Sequence, residues 1–139
     1  MHSQLFAPLL ALVLWTFVMC AWLYATRIPA ISRLKIVFDQ TKPSADFHAQ
    51  LPPQVRWKAD NYNNLLEQPT LFYAVVVTLA LLGADGPLNL ALAWAYVGVR
   101  VVHSFIQATV NIVLLRFSAF MLGTLILLGL TIRACWLVF

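Results

Sequence analysis

The amino-acid sequence predicts an all-α membrane protein built as a bundle of four transmembrane helices. Hydrophobic residues make up 62% of the 139 residues, and the mean hydropathy is +0.83. Charged residues make up only 10%, whereas soluble globular proteins carry about 25%. A helix needs about 20 apolar residues to cross a hydrocarbon core of about 30 Å. We therefore expect one membrane domain, residues 1–139, with spans at about 5–25, 65–83, 88–115 and 117–138.

The first span, Leu5 to Ala25, contains no charged residue and is the clearest of the four. No Lys or Arg precedes it, and it is longer than the apolar core of a typical signal peptide. We expect it to remain in the mature protein as a transmembrane helix.

The connections between the spans predict the orientation. Residues 26–60 hold six of the nine basic residues, and short loops rich in Lys and Arg lie on the cytoplasmic side. This loop is therefore predicted to be cytoplasmic, in a cell inner membrane, with both chain termini on the other side. The second connection carries the tight-turn sequence Asp85-Gly86-Pro87, so spans two and three should form an antiparallel hairpin. The third connection is predicted as a tight corner at Arg116.

The second span contains a proline, Pro69, two residues after Glu67. Proline lacks the backbone donor and clashes with the carbonyl four residues earlier, so it kinks a helix that begins well before it. If the helix begins before Asn64, a kink would free carbonyls near Leu65. If the helix begins close to Pro69, the proline only occupies the first turn. The sequence leaves both alternatives open.

Polar residues follow one helical face of the third span: Arg100, His103, Gln107 and Asn111. On the second span, Asn64 and Glu67 also share a face. Ionisable groups inside a bilayer cost a few kcal/mol each, so they usually face the bundle interior. We predict a contact between Glu67 and Arg100, within one subunit or between subunits, because either charge alone would be uncompensated. The polar groups of Asn64, His103 and Gln107 exceed what one carboxylate requires and suit a polar, anionic ligand.

Three segments then carry a resemblance to a known family. They are Asn61-Tyr62-Asn63-Asn64-Leu65-Leu66-Glu67-Gln68-Pro69, Val99-Arg100-Val101-Val102-His103, and Arg116 at the head of the fourth span. In this order the segments resemble the MAPEG family, the membrane-associated proteins in eicosanoid and glutathione metabolism. The resemblance implies a homotrimer of four-helix bundles, with glutathione held between neighbouring subunits near the cytoplasmic side.

The resemblance also implies roles for individual residues. Asn64, Glu67 and His103 would hold glutathione, and Arg100 would orient Glu67. Arg116 would lie close to the glutathione thiol, as the catalytic residue. A positive charge at that place lowers the pKa of the thiol and supplies the thiolate nucleophile.

Two positions depart from the family pattern. Asn63 stands where well-studied members commonly have an arginine, and an amide cannot replace the bidentate grip of a guanidinium on a carboxylate. Gln107, which we also expect to contact glutathione, stands where several members have a tyrosine. Basic residues of the first loop could compensate, and the candidates are Arg33, Arg56 and Lys58.

The expected function is that of a glutathione-dependent transferase or peroxidase acting on lipophilic electrophiles or lipid hydroperoxides, which would arrive through the membrane lipids. One alternative is a non-catalytic protein that presents a lipid, similar to the five-lipoxygenase-activating protein. Another is a trimer whose polar cluster only stabilises packing. A small four-helix exporter of lipophilic cations would carry a glutamate in its first helix, and the span Leu5 to Ala25 has no acid.

Other classes of site are not indicated. The His and Cys residues have no metal-ligand spacing, so no metal site is predicted. Cys20 and Cys135 fall in apolar spans and are expected to be small buried hydrophobic residues. The net charge of +4 is explained by the basic first loop and by anionic lipid headgroups, so no nucleic-acid partner is expected.

Overall fold

The computed structural model describes residues 3–139, and Met1 and His2 of the predicted domain lie outside this range. The described chain is 82% helical and contains no β-strand. Its six helices, numbered in chain order, are α1 (Phe6–Leu34), α2 (Ser44–Ala49), α3 (Pro53–Glu67), α4 (Pro69–Leu81), α5 (Pro87–Thr109) and α6 (Val113–Val138).

Four helical stretches are long and apolar enough to cross a membrane: α1, the run Pro53–Leu81 formed by α3 and α4, α5, and α6. These stretches confirm the predicted fold class, an all-α bundle of a multi-pass membrane protein. Helix α5 contacts α1, α3 and α6, while α4 packs against α1 and α6. Large apolar side chains such as Phe17 and Leu125 cover the outer faces, as a lipid environment requires.

Aromatic packing and a short polar chain hold the bundle together near the middle of the second span. The rings of Phe72 and Tyr96 stack with their centroids 4.4 Å apart. The Tyr96 hydroxyl donates to Oε1 of Gln68 (3.1 Å), and Nε2 of Gln68 donates to Oγ1 of Thr124 (2.8 Å). Because lipid supplies little hydrophobic drive between helices, such interhelical hydrogen bonds help to join α4, α5 and α6.

The second helical run begins at Pro53, well before residue 65. Proline is favourable at this position because its missing N–H would have no intrahelical acceptor. Since the run starts before Asn64, Pro69 interrupts it: α3 ends at Glu67 and α4 begins at Pro69. The run therefore begins before Asn64, as the first alternative supposes, and Pro69 occupies the first turn of α4, as the second supposes. The carbonyl of Asn64, next to Leu65, accepts a hydrogen bond from Arg100.

Lys58, which the sequence pattern places in the first loop, lies within α3. Its side chain is buried, and its ammonium group lies 5.0 Å from the ring centroid of Trp22 on α1. Nζ donates to the carbonyls of Gln54 (2.8 Å) and Ala108 (3.3 Å). The Ala108 carbonyl belongs to the last turn of α5, where a cation is favourable. The start of α3 and the end of α5 therefore lie at the same end of the bundle.

The corner between the third and fourth spans lies at residues 110–112, and Arg116 falls in the first turn of α6. Asn111 turns the chain with a φ of 50°, a left-handed conformation that asparagine tolerates better than most residues. Its backbone N–H donates to the carbonyl of Ile106 (2.7 Å). The corner thus precedes the position predicted for it, because the sequence pattern does not reveal this turn.

Candidate functional site

Four of the residues singled out in the sequence line one open pocket at the end of the bundle where α3 begins. They are Asn64, His103, Gln107 and Arg116, and the pocket also contains Asp60, Val113, Phe117 and Phe120. Its volume is about 350 Å³, and small-molecule sites usually measure about 300–1,000 Å³. We call it the inner pocket. Polar groups of α3 and α5 face an apolar wall on α6, so a polar ligand and an apolar molecule can meet there.

Arg100 lies behind this pocket and holds its α3 wall in place. The side chain is fully buried, and Nη2 donates to both the backbone carbonyl (2.8 Å) and Oδ1 (2.6 Å) of Asn64. The guanidinium also lies 5.9 Å from the ring centroid of Phe120 on α6. Arg100 therefore fixes both the backbone and the side-chain amide of Asn64.

The predicted ion pair between Glu67 and Arg100 does not form within the chain. Glu67 is exposed, and the ion pair present among residues 3–139 joins Lys42 to Asp39. The carbonyl and amide oxygens of Asn64 take the place of the carboxylate. Glu67 also does not line the inner pocket. A contact of Glu67 with another subunit stays a prediction.

The buried face of α5 has more polar groups than the described chain satisfies. Nδ1 of His103, Oγ of Ser104 and Oε1 of Gln107 are buried and have no hydrogen-bond partner among residues 3–139, and the same holds for Nε and Nη1 of Arg100. Asn61 on α3 is in the same situation with both side-chain polar atoms. Native proteins leave few buried polar groups unpaired, because each costs about 1–3 kcal/mol. Of these residues, His103 and Gln107 line the inner pocket, and Asn61, Arg100 and Ser104 do not.

Arg116 reaches the inner pocket from the first turn of α6, and Asn111 anchors it. Its Nη1 donates to Oδ1 of Asn111 (2.8 Å). The turn residue therefore has a second use, because the same asparagine that closes the corner also orients the guanidinium. Arg116 and the buried Arg100 place two positive charges at this end of the bundle, and Asp60 places one negative charge in the same pocket.

Asp60 is the site residue that the sequence reasoning missed. The sequence pattern places Asp60 in the first loop, yet it lies on α3, one turn before Asn64 and on the same face. The spacing of the two residues could have revealed it. The basic residues around it instead suggested a loop that reached residue 60.

A second pocket adjoins the first, and Asp60 lines both of them. Its volume is about 460 Å³, and its polar and aromatic lining residues are His48, Arg56, Trp57, Asp60, Asn63 and Asn111. We call it the outer pocket. Of the three basic residues that could compensate for Asn63, Arg56 therefore lies beside it, whereas Lys58 is occupied by the carbonyls of Gln54 and Ala108.

No group of three His, Cys, Asp or Glu side chains suited to a metal ion occurs in the described part of the chain. Cys20 is half-buried and Cys135 is exposed on α6, and both are free thiols. Cys135 therefore faces outward from the bundle instead of being buried as expected.

Comparison with known proteins agrees with this architecture. The MAPEG family matches residues 5–136, which is nearly the whole chain. No curated protein and no solved structure gave a significant match. The chain belongs to the MAPEG family and is a membrane protein of this glutathione and eicosanoid metabolism group.

Proposed function

We propose that this protein is a glutathione-dependent transferase or peroxidase that acts on lipophilic electrophiles or lipid hydroperoxides. The observation that carries the proposal is the inner pocket, where side chains from α3, α5 and α6 converge beside an apolar wall. The lining residues fit a peptide with carboxylates and a thiol, because they combine the Arg116 guanidinium with the polar side chains of His103, Gln107 and Asn64.

Each group has a stated task in this proposal. Glutathione would supply the thiolate. Its attack on an electrophile would form a thioether and expel the leaving group, and its attack on a hydroperoxide would break the O–O bond, giving an alcohol and a sulfenic acid that a second glutathione converts to the disulfide and water. Arg116 stabilises the negative charge on sulfur, and Asn111 keeps its guanidinium in place. The peptide is held by Asn64, His103 and Gln107. The buried Arg100 orients Asn64.

The apolar wall of the inner pocket is the proposed substrate side. Phe117 and Phe120 lie on α6, and neighbouring residues of that helix such as Leu114 are exposed on the outer face. A lipophilic substrate would reach the pocket laterally from the bilayer. A polar co-substrate would instead enter from the aqueous end, where the connection between α1 and α3 lies.

The orientation in the membrane and the assembly into a homotrimer are also proposals. The basic residues of α1, its following loop and α3 lie at the end of the bundle that carries the pockets, so this end would face the cytoplasm of an inner-membrane protein. Both termini would then lie on the other side. The exposed Glu67 and the unsatisfied polar atoms support an assembly in which neighbouring subunits complete the site, and the family resemblance makes the proposed assembly a homotrimer.

The test is turnover by purified protein in detergent or nanodiscs, with reduced glutathione and either a lipophilic aryl halide or a fatty-acid hydroperoxide. Arg116→Ala should abolish turnover, while Arg133→Ala, a matched change at the other end of α6, should leave it unchanged. Ultraviolet difference absorbance should show the bound thiolate in the wild type and in Arg133→Ala only. Full turnover by Arg116→Ala would refute the thiolate role.

A second function, lipid binding without catalysis, is favoured by a separate groove between α1 and the second span. The groove has a volume of about 240 Å³ and is mainly apolar, with Val13, Phe17, Tyr62, Leu65, Leu66 and Tyr73 among its lining residues. If the wild type binds a fatty-acid probe but neither binds nor consumes glutathione, this function replaces the first.

A further inference from the structure

The outer pocket carries two opposite charges that the proposed chemistry does not use. Arg56 and Asp60 stand four residues apart on α3, so their side chains project from neighbouring turns of one face. They form no ion pair with each other or with another residue of the described range 3–139. Both line the outer pocket, and Asp60 also lines the inner pocket.

A cation and an anion side by side, each available to a ligand, match an α-amino-acid group. Such a group carries a carboxylate and an ammonium on one carbon, and each needs a partner of opposite charge. The guanidinium of Arg56 suits the carboxylate, and the carboxylate of Asp60 suits the ammonium. Neither charge alone would distinguish an amino acid from a simple anion or a simple amine.

The position of the pair relative to the inner pocket suggests which part of a ligand it holds. Asp60 stands on the wall that the two pockets share, while Arg116 lies on the inner pocket's α6 side. A peptide with its thiol near Arg116 would extend past Asp60 into the outer pocket. The γ-glutamyl residue of glutathione ends in the α-amino-acid group that Arg56 and Asp60 match.

We propose that Arg56 and Asp60 form the specificity subsite for the α-amino-acid end of the peptide, with Asp60 binding its ammonium and Arg56 its carboxylate. This inference rests on the proposed glutathione-dependent function. The resemblance gives Glu67 a role in holding glutathione, but Glu67 lines neither pocket within the chain. In this proposal Asp60 supplies the carboxylate that contacts the peptide.

Calorimetric titration of the detergent-purified protein with three peptides tests the assignment. The first is reduced glutathione. The second is glutaryl-cysteinyl-glycine, which lacks only the ammonium, and the third is 4-aminobutanoyl-cysteinyl-glycine, which lacks only the α-carboxylate. Each omission should weaken binding to the wild type roughly fivefold, the size of one partly exposed charge pair.

Two variants connect each charge to its own ligand group. Asp60→Asn should lose the preference for the ammonium and keep that for the carboxylate, and Arg56→Gln should do the reverse. Asp46→Asn, which removes a charge from α2 outside both pockets, should keep both preferences.

The outcomes separate this inference from the proposed function. Glutathione binding without either preference in the wild type overturns the subsite and leaves the function standing, and this comparison does not depend on any variant folding. If a variant loses affinity for all three peptides to the same extent, the subsite is also overturned. Such a loss indicates a long-range electrostatic effect or a structural effect instead of a contact with one ligand group. If the wild type binds none of the peptides at millimolar concentration, the function and the subsite both fail.

Discussion

Replacing Asn64 by alanine should destabilise the protein through a residue on another helix. Asn64 supplies both oxygens that accept hydrogen bonds from the fully buried Arg100, one from the side chain and one from the backbone. Alanine keeps the backbone carbonyl and removes the amide. The guanidinium would then lose its shortest hydrogen bond while remaining buried, with Nε and Nη1 already unpaired within the described range.

The magnitude follows from the bond that is lost. The bond from Nη2 to Oδ1 measures 2.6 Å and involves a charged donor. Hydrogen bonds to charged groups contribute about 1.5–3 kcal/mol, so we expect Asn64→Ala to lower the free energy of unfolding by about 2 kcal/mol. In an Arg100→Met background the buried charge is gone, and the same substitution should cost less than about 1 kcal/mol.

Equilibrium unfolding by denaturing detergent in mixed micelles measures these differences. Glu67→Gln is the matched control, and it should change the free energy of unfolding by no more than about 0.5 kcal/mol, because Glu67 is exposed. A cost for Glu67→Gln equal to that for Asn64→Ala would refute the reasoning. Arg100 would then depend on the carboxylate, across a subunit contact.

Three further substitutions test other parts of the structure. Asn111→Gly should keep the corner, since glycine accepts its φ of 50°, yet lower turnover because Arg116 loses its anchor; unchanged turnover by the folded variant would contradict this. Lys58→Met should cost about 1–2 kcal/mol in detergent unfolding, because Nζ no longer caps the last turn of α5, and a neutral result would show that the ammonium is not buried there. Gly123→Ala should be tolerated, because the nearest atom would lie 3.5 Å from the added carbon, whereas Gly123→Leu should lower the free energy of unfolding by about 1–3 kcal/mol in the same assay. Equal stability of the two variants would mean that α5 and α6 pack less closely than described.

Helical periodicity predicted the buried polar face of the third span but not the residue at which the helix ends. Arg100, His103 and Gln107 are buried on one face of α5, as their spacing predicted. Asn111 continues the same spacing but lies beyond the end of α5, in the corner. Periodicity extends a helix until some residue stops it, and a left-handed asparagine is a weak stop signal in a sequence.

Charge patterning misplaced the start of the second span for a different reason. Arg56, Lys58 and Asp60 are typical of an aqueous loop, yet all three lie on α3. A helix can extend beyond the hydrocarbon core, and the long side chain of a lysine can lie along apolar surface. The contact of Lys58 with Trp22 and with the Ala108 carbonyl depends on two other helices, so no local pattern announces it.

The sequence by itself determined the membrane class, the presence of four spans and four of the polar residues that line the inner pocket. These follow from composition and local periodicity, because a bilayer forces the backbone of each span into a helix and leaves few places for polar side chains. The tertiary structure alone decided that Arg100 is held by Asn64 and not, within the chain, by Glu67, and that Asp60 joins the pocket. Such choices depend on where each helix begins and on how its faces are rotated toward the others. Packing between segments that are distant in the sequence sets both quantities. Local sequence patterns contain no direct information about such packing.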